Sequence, residues 1–337
     1  MTPFGFGRYA LGAAAMGAML SGCSGSGSSG PLPAGREAGP SAGHRIGGRS
    51  WADAGANQQD LLYVTNSNGL VDIFRYWKHE LVGVLTDFTS PLGECADRSG
   101  NVYIVDNGAQ SILEYAHGGT KAIATIIDKG YEPHGCAVDP TTGNLAVANY
   151  SSTEYTGYAD TGNIAIYAHG AGTPKYYGSD DGRFTNLAYD DRGNLLVTAL
   201  NYFYYSSTPT TLFYYLPHHG KSLLSMNLPN DSFYYGWPQV SSINYDGTYW
   251  VAATGGNLYR YTINIKAQEV DEIQLSGAKD EMGEIALYRK TPKAQATEAV
   301  AGAGFVGYWQ YPAGGDAYFE ITSYLDYPYG VAISLRK

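Results

Sequence analysis

The sequence predicts an all-β fold, a six-bladed β-propeller closed by its C-terminal strand joining the first blade. Three observations predict it. From Leu61 onward a unit of roughly 40–50 residues recurs, the period at which propeller blades repeat. Each copy reads as short strands rich in Tyr, Val and Ile, joined by turns carrying Asp, Asn and Gly; the first suit a pleated surface and the second a tight reversal. Beyond the N-terminal segment, no stretch keeps apolar side chains at i, i+3, i+4 and i+7 over three turns, so helix signals are nearly missing.

The first copy opens at Leu61-Leu62-Tyr63-Val64-Thr65 without an inner strand before it. The next three are complete. They run Pro91 to Asp97 then Gly100 to Val105, Pro133 to Asp139 then Gly143 to Val147, and Thr185 to Asp190 then Gly193 to Val197. In each, Asp bonds its own backbone and Gly supplies positive φ, which makes the stretch a hairpin. Weaker inner strands follow at Trp237 to Asn244 and at Met282 to Leu287. A third strand ending in Tyr recurs at Tyr76, Tyr115, Tyr167, Tyr215, Tyr261 and Tyr311, at spacings of 39 to 52 residues. The last inner strand, Tyr327 to Ile333, has no blade after it, so it is expected to supply the strand missing before Leu61 and to remove an exposed edge.

The N-terminus divides differently. Arg8 precedes the apolar run Tyr9 to Leu20, too short for a bilayer span of about 20 residues and the length of a signal-peptide core. Leu20-Ser21-Gly22-Cys23 resembles the lipobox of bacterial lipoproteins, which implies a signal peptide over residues 1–22 and lipid on Cys23; an ordinary secretory signal with a chance Cys is the plainer alternative. Two or more acyl chains would hold the protein to the membrane, its partner on this reading. Residues 23–58 are rich in Gly, Ser and Pro and predict a flexible tether, with the propeller over 59–337. Ser24 after the Cys implies outer-membrane sorting in a Gram-negative host. The net charge of -10, with Lys and Arg spread thinly along the chain, argues against a phosphate-binding patch, so nucleic acid is not an expected partner.

The pattern Pro-x-Gly-x-x-x-Asp, then Gly-Asn and an apolar strand, resembles the NHL-repeat propellers and the related gluconolactonase-like family, most strongly from Pro91 to Val197. Propeller ligands gather where loops enter the inner strands, and those positions hold Glu94, His134, Asn186, Gln239, Glu281, Glu284 and Tyr329. Carboxylate and amide oxygens there suit a divalent cation such as calcium, or a sugar-like ligand; polar residues also line solvent-filled channels. The lactonase resemblance implies a metal on a Glu, two Asn and an Asp from different blades. Asn186 best matches their Asn-Gly-Leu motif, with Leu187 in place of Gly, and Glu94 stands for a carboxylate. The second Asn and the Asp have no match, Gln239 occupying the comparable place in the next blade. No His-Glu-x-x-His is present; Gly220-Lys221-Ser222 lacks the first glycine of a Gly-x-x-x-x-Gly-Lys-Ser/Thr phosphate loop, and the Gly-x-Ser-x-Gly match at Gly39 to Gly43 falls in the Gly/Ser/Pro-rich stretch rather than on a strand-to-helix elbow.

Cys95 and Cys136 fall in neighbouring inner strands, so export to an oxidising compartment would let them form a disulfide; two buried free thiols are the alternative. His117, His169, His218 and His219 follow the Tyr-ending strands and read as a repeated turn residue rather than bases. Tyr202 to Tyr205, Tyr214, Tyr215, Tyr234 and Tyr235 suggest sugar stacking, or packing between blades. The expectation is therefore a non-enzymatic envelope module that binds a protein, glycan or small molecule, with a divalent-metal lactonase as the alternative.

Overall fold

The computed structural model describes residues 48–152, 161–178, 182–201, 210–229, 240–264, 266–278, 282–289, 295–300 and 304–337. The expected signal peptide, Cys23, and the tyrosines at 202–205, 234 and 235 lie outside them, as do Gln239 and Glu281. Strands account for nearly all regular structure, and no described helix is long and apolar enough to cross a membrane.

The first sheet contains β1 (Trp51–Ala52), β2 (Leu61–Asn66), β3 (Val71–Arg75) and β4 (Leu81–Leu85). The second is β5 (Pro91–Ala96), β6 (Val102–Asp106), β7 (Ser111–Tyr115) and β8 (Ala122–Ile127). The third is β9 (Tyr131–Val138), β10 (Leu145–Ser152), β11 (Asn163–Ala168) and β12 (Ala171–Tyr177). The fourth is β13 (Arg183–Tyr189), β14 (Leu195–Asn201), β15 (Thr210–Leu216) and β16 (Leu224–Met226). The fifth joins β17 (Ser242–Tyr245), β18 (Trp250–Thr254), β19 (Asn257–Ile263) and β20 (Ala267–Ser276) to β21 (Met282–Tyr288), β22 (Gln295–Val300), β23 (Phe305–Gln310) and β24 (Gly314–Ile321). The last strand, β25 (Pro328–Ser334), returns to the first sheet antiparallel to β2, with Leu62 opposite Ile333 and Val64 opposite Val331.

Hydrogen bonding thus makes five sheets where six were expected. The cause is local. β20 and β24 pair in parallel at Leu275 with Gly315 and Ser276 with Asp316, which merges two four-stranded halves into one eight-stranded sheet. Gly314 permits the approach: its φ is +66°, and a Cβ there would fall 2.5 Å from the Gln274 carbonyl oxygen.

The outer edge of the first sheet carries a short added strand. Trp51 and Ala52 pair with Val84 and Gly83 on the free edge of β4, and residues 56–58 form a 3-10 turn that buries Ala56. These residues lie within the 23–58 stretch read as a tether, and an unpaired sheet edge offers hydrogen bonds to any extended neighbour.

Six apolar clusters sit between successive units, counting the two halves of the fifth sheet separately. Second strands are buried on both faces, so they read as continuous apolar runs rather than alternating ones. On β2, Leu61 and Tyr63 pack toward Val102 and Ile104 of the second sheet. Leu62 and Val64 point the other way, toward Tyr288 and Tyr308. The first strands face the middle: β5, β9, β13, β17, β21 and β25 each contribute side chains to one central cavity.

Candidate functional site

Polar groups enter this middle because the first strands alternate, sending small or polar side chains toward the axis and apolar ones into the clusters. The cavity has a volume of about 250 Å³. Glu94, Asn186 and Glu284 all line it, although they come from the second, fourth and fifth sheets. They are only 5%, 6% and 8% exposed.

Glu284 reaches furthest. Its Oε2 accepts a hydrogen bond from the Glu94 main-chain N–H at 3.1 Å, so a side chain of β21 ties to the backbone of β5. Three glycines make room for it. A Cβ on Gly93 would lie 2.5 Å from Glu284 Oε1, one on Gly330 3.2 Å from Oε2, and one on Gly135 3.7 Å from Oε1. These glycines belong to β5, β25 and β9, so the carboxyl occupies a cradle formed by three separate inner strands.

Burial pushes the Glu284 carboxyl up to about 8. Burial likewise holds the Glu94 carboxyl well above the usual range, and the neighbouring Glu284 charge adds to the effect. Neither oxygen of Glu94 has a well-formed hydrogen bond, and nor does Oδ1 of Asn186. The main chain of Asn186 is held by contrast: its N–H donates to Thr198 Oγ1 at 3.2 Å.

Beyond Glu284 along the strands, His134 and Tyr329 bridge β9 and β25. His134 Nδ1 lies 3.2 Å from the Thr185 carbonyl, which can only accept, so Nδ1 carries the proton. Nε2 then accepts the Tyr329 hydroxyl at 2.9 Å. Burial lowers the imidazole to about 4 and raises the phenol, so both stay neutral near pH 7. With both ring nitrogens bonded, this histidine is poorly placed to serve as a general base.

The opposite end reaches the surface. Tyr189, Tyr245 and Arg289 line it, and Arg289 Nη2 bonds Asp191 Oδ2 at 2.9 Å while its guanidinium lies over the Tyr245 ring. A neighbouring cavity of about 490 Å³ shares Tyr189 and Arg289 and adds Arg98, Asp97 and Asp139. Sequence reasoning missed these residues, for they follow the inner strands instead of preceding them. The Asp turns at 97, 139 and 190 were the one signal that pointed to this face.

Cys95 and Cys136 form a disulfide between β5 and β9, with Cα atoms 5.7 Å apart, in the cavity wall. Free thiols are thereby replaced by a covalent link. His117 and His218 act as turn residues that reach the preceding sheet: His117 bonds Ser334 Oγ at 2.6 Å and the Gln59 carbonyl at 2.9 Å, and His218 Nε2 lies 3.4 Å from Thr141 Oγ1. Tyrosines do the same work. Tyr76 contacts Thr297, Tyr167 donates to Asp128 and Tyr311 donates to Asp246.

The described donors fall short of a divalent-metal centre, Gln239 and Glu281 lying outside the described residues. Glu94, Glu284 and Asn186 bring oxygens to the cavity, yet among the described residues no group of three His, Cys, Asp or Glu side chains could hold an ion. A hard cation with six to eight oxygen ligands would need more than these.

No protein-family model matches the chain, and no curated protein matches it. Among solved structures it is similar to a chain in the crystal structure of a nidogen/laminin complex, at 14% identity and a TM-score of 0.60, over 82% of this chain and 99% of that one. It is also similar to a protein of unknown function from Bacteroides caccae, at 14% identity and a TM-score of 0.58, over 83% of this chain and all 100% of the other. At that identity the likeness speaks to fold alone, and the fold it supports is an all-β propeller-like ring of sheets.

Proposed function

We propose that this chain is a closed, six-bladed propeller, held to the cell envelope by lipid on Cys23, that works as a non-enzymatic binding module with its ligand in the central channel. The observation that carries the binding reading is the polar cavity to which all six inner strands contribute, with the buried amide oxygen of Asn186 left without a donor. Counting the eight-stranded sheet as two blades fused at their outer edges gives six, in accord with the six inter-unit clusters. Envelope attachment rests on Leu20-Ser21-Gly22-Cys23.

Two measurements test it. Fractionation of cells expressing the full chain is expected to place it with membranes and Cys23→Ser in the soluble fraction; a membrane-bound Cys23→Ser would overturn the anchor. A thermal-shift screen of small molecules is expected to find compounds that stabilise the wild type but not Asn186→Leu, whose side chain intrudes on the cavity. Stabilisation of both proteins alike would remove the channel as the site. Lactone hydrolysis with stoichiometric metal, lost in Glu94→Gln, would replace the binding module by an enzyme.

A further inference from the structure

We infer that the buried end of the channel is a site for a small organic ammonium ion, its N–H groups directed at Glu284, Glu94 and the amide oxygen of Asn186. The inference rests on the channel being a ligand site and names the ligand's chemistry.

The unmet atoms carry the argument. Asn186 Oδ1 is buried in the cavity with no hydrogen-bond partner, and the Glu94 oxygens, beside the main-chain N–H groups of Thr65 and Ala332, make no well-formed bond. Leaving such atoms unpaired costs free energy, so a site that keeps them is complete only with a donor. Among the described residues, the neighbouring side chains supply none to Asn186 Oδ1. The His134 Nδ1 proton goes to Thr185, the Tyr329 hydroxyl goes to His134, and Arg289 is engaged by Asp191. Asn186 stands apart from the carboxyls in origin, since it lies on β13 while Glu94 and Glu284 lie on β5 and β21. Its side chain is unbonded even though its backbone is pinned by Thr198.

Charge and size narrow the ligand. Two carboxyls facing one space favour a cation, and an ammonium group needs only about three acceptors at 2.7–3.2 Å, against six to eight for a hard divalent ion. The cavity, about 250 Å³, is small, so the guest is a short amine. Tyr189 and Tyr245 flank the route outward and present aromatic faces to a passing cation.

Occupation would be coupled to protons. Without a cation the two glutamates favour their neutral forms. A bound ammonium favours the carboxylates, so a carboxyl proton leaves for the buffer as the amine enters. Among the described neighbours, Tyr329 on β25 and His134 on β9 stay neutral, and the charge of Arg289, just past the end of β21, is balanced by Asp191. Exchange with solvent is therefore confined to the glutamate pair.

Calorimetric titration of the full chain in detergent tests this, using propylammonium, its neutral counterpart propanol, and calcium, each in two buffers of different ionisation heat. Propylammonium is expected to fill one site at least about tenfold more tightly than propanol, with buffer-dependent heat that reports proton release near neutral pH. Glu284→Gln and Asn186→Leu should each weaken it about tenfold or more. Should Glu284→Gln fail to fold, the wild-type proton release and the Asn186→Leu result still decide. Equal binding of propanol, absence of proton release, or calcium filling the site without competition from the amine would overturn the ammonium assignment while leaving a ligand channel in place. No heat from any probe would also overturn it, and the thermal-shift screen then judges the channel separately.

Discussion

Gly93 and Glu284 depend on one another. A methyl group at Gly93 would meet Glu284 Oε1 at 2.5 Å, the His134 carbonyl at 2.7 Å and the Gly135 Cα at 2.9 Å, and two of these three are backbone that cannot swing aside. Gly93→Ala is therefore expected to destabilise the protein by about 1–3 kcal/mol, the range for overpacking a tight interior, and urea denaturation checks it. Glu284 also sets a pH dependence, and Asp72 acts in the same sense. Burial raises both carboxyls to about 8 in the folded protein, against a weaker hydrogen-bond effect from Asn66 at Asp72. The folded state then holds protons more tightly than the unfolded chain, so stability is fullest below the ordinary carboxylate range and declines as pH rises toward about 8. Calorimetry is expected to find a higher Tm near pH 5 than near pH 8, with a smaller difference in Glu284→Gln; a Tm that climbs over this interval would contradict buried neutral carboxyls. Glu94, Asn186 and Glu284 were legible because a repeated strand brings equivalent positions to one axis. Their pairing was not, since nothing local tells a side chain which glycines across the ring leave room for it.

At the level of strands, the seams between sheets decide which substitutions matter. The disulfide joins β5 to β9 across 41 residues of sequence, and Cys136 lies within the cluster that packs Val105 against Val147. Replacing both cysteines by serine is expected to lower stability by about 2–4 kcal/mol, measured by denaturant unfolding with and without reductant. Reductant should shift the wild type and leave the double variant unmoved. Adjacent inner strands, inferred from the repeat, made this bond foreseeable even though the two cysteines stand at different distances from their turn aspartates. The merged fifth sheet was not foreseeable. Gly314-Gly315 reads as any hairpin turn, and its closeness to Gln274 depends on how far β20 extends. Trp51 and Ala52 escaped for a related reason: a two-residue strand has no periodicity, and its partner β4 became available only once the first sheet had formed.

For the whole molecule, the proposed closure makes a demand on chain order that can be separated from the stability of any one strand. β25 supplies Val331 and Ala332 to two different clusters, and Asp60 fastens the same seam, accepting the Arg336 N–H at 2.8 Å and the Tyr288 hydroxyl at 2.8 Å. Deleting residues 328–337 would expose the edge of β2 and open both clusters, so loss of cooperative unfolding and self-association through the free edge are expected. Deletion alone is a blunt test, because removing buried strands harms most proteins. A circular permutant is sharper. Ser334 lies directly opposite Leu61, so residues 326–337 moved to the front can run into Gln59 through a short hairpin connection, with the chain ending before Asp326. If the sheets form a ring, the permutant keeps every contact of β25 and loses only β1 and its 3-10 turn. It should be monomeric and unfold cooperatively within a few degrees of the wild type, whereas the deletion should not. A permutant as disordered as the deletion would mean that β25 is held by something other than its pairing with β2, and the ring would have to be abandoned.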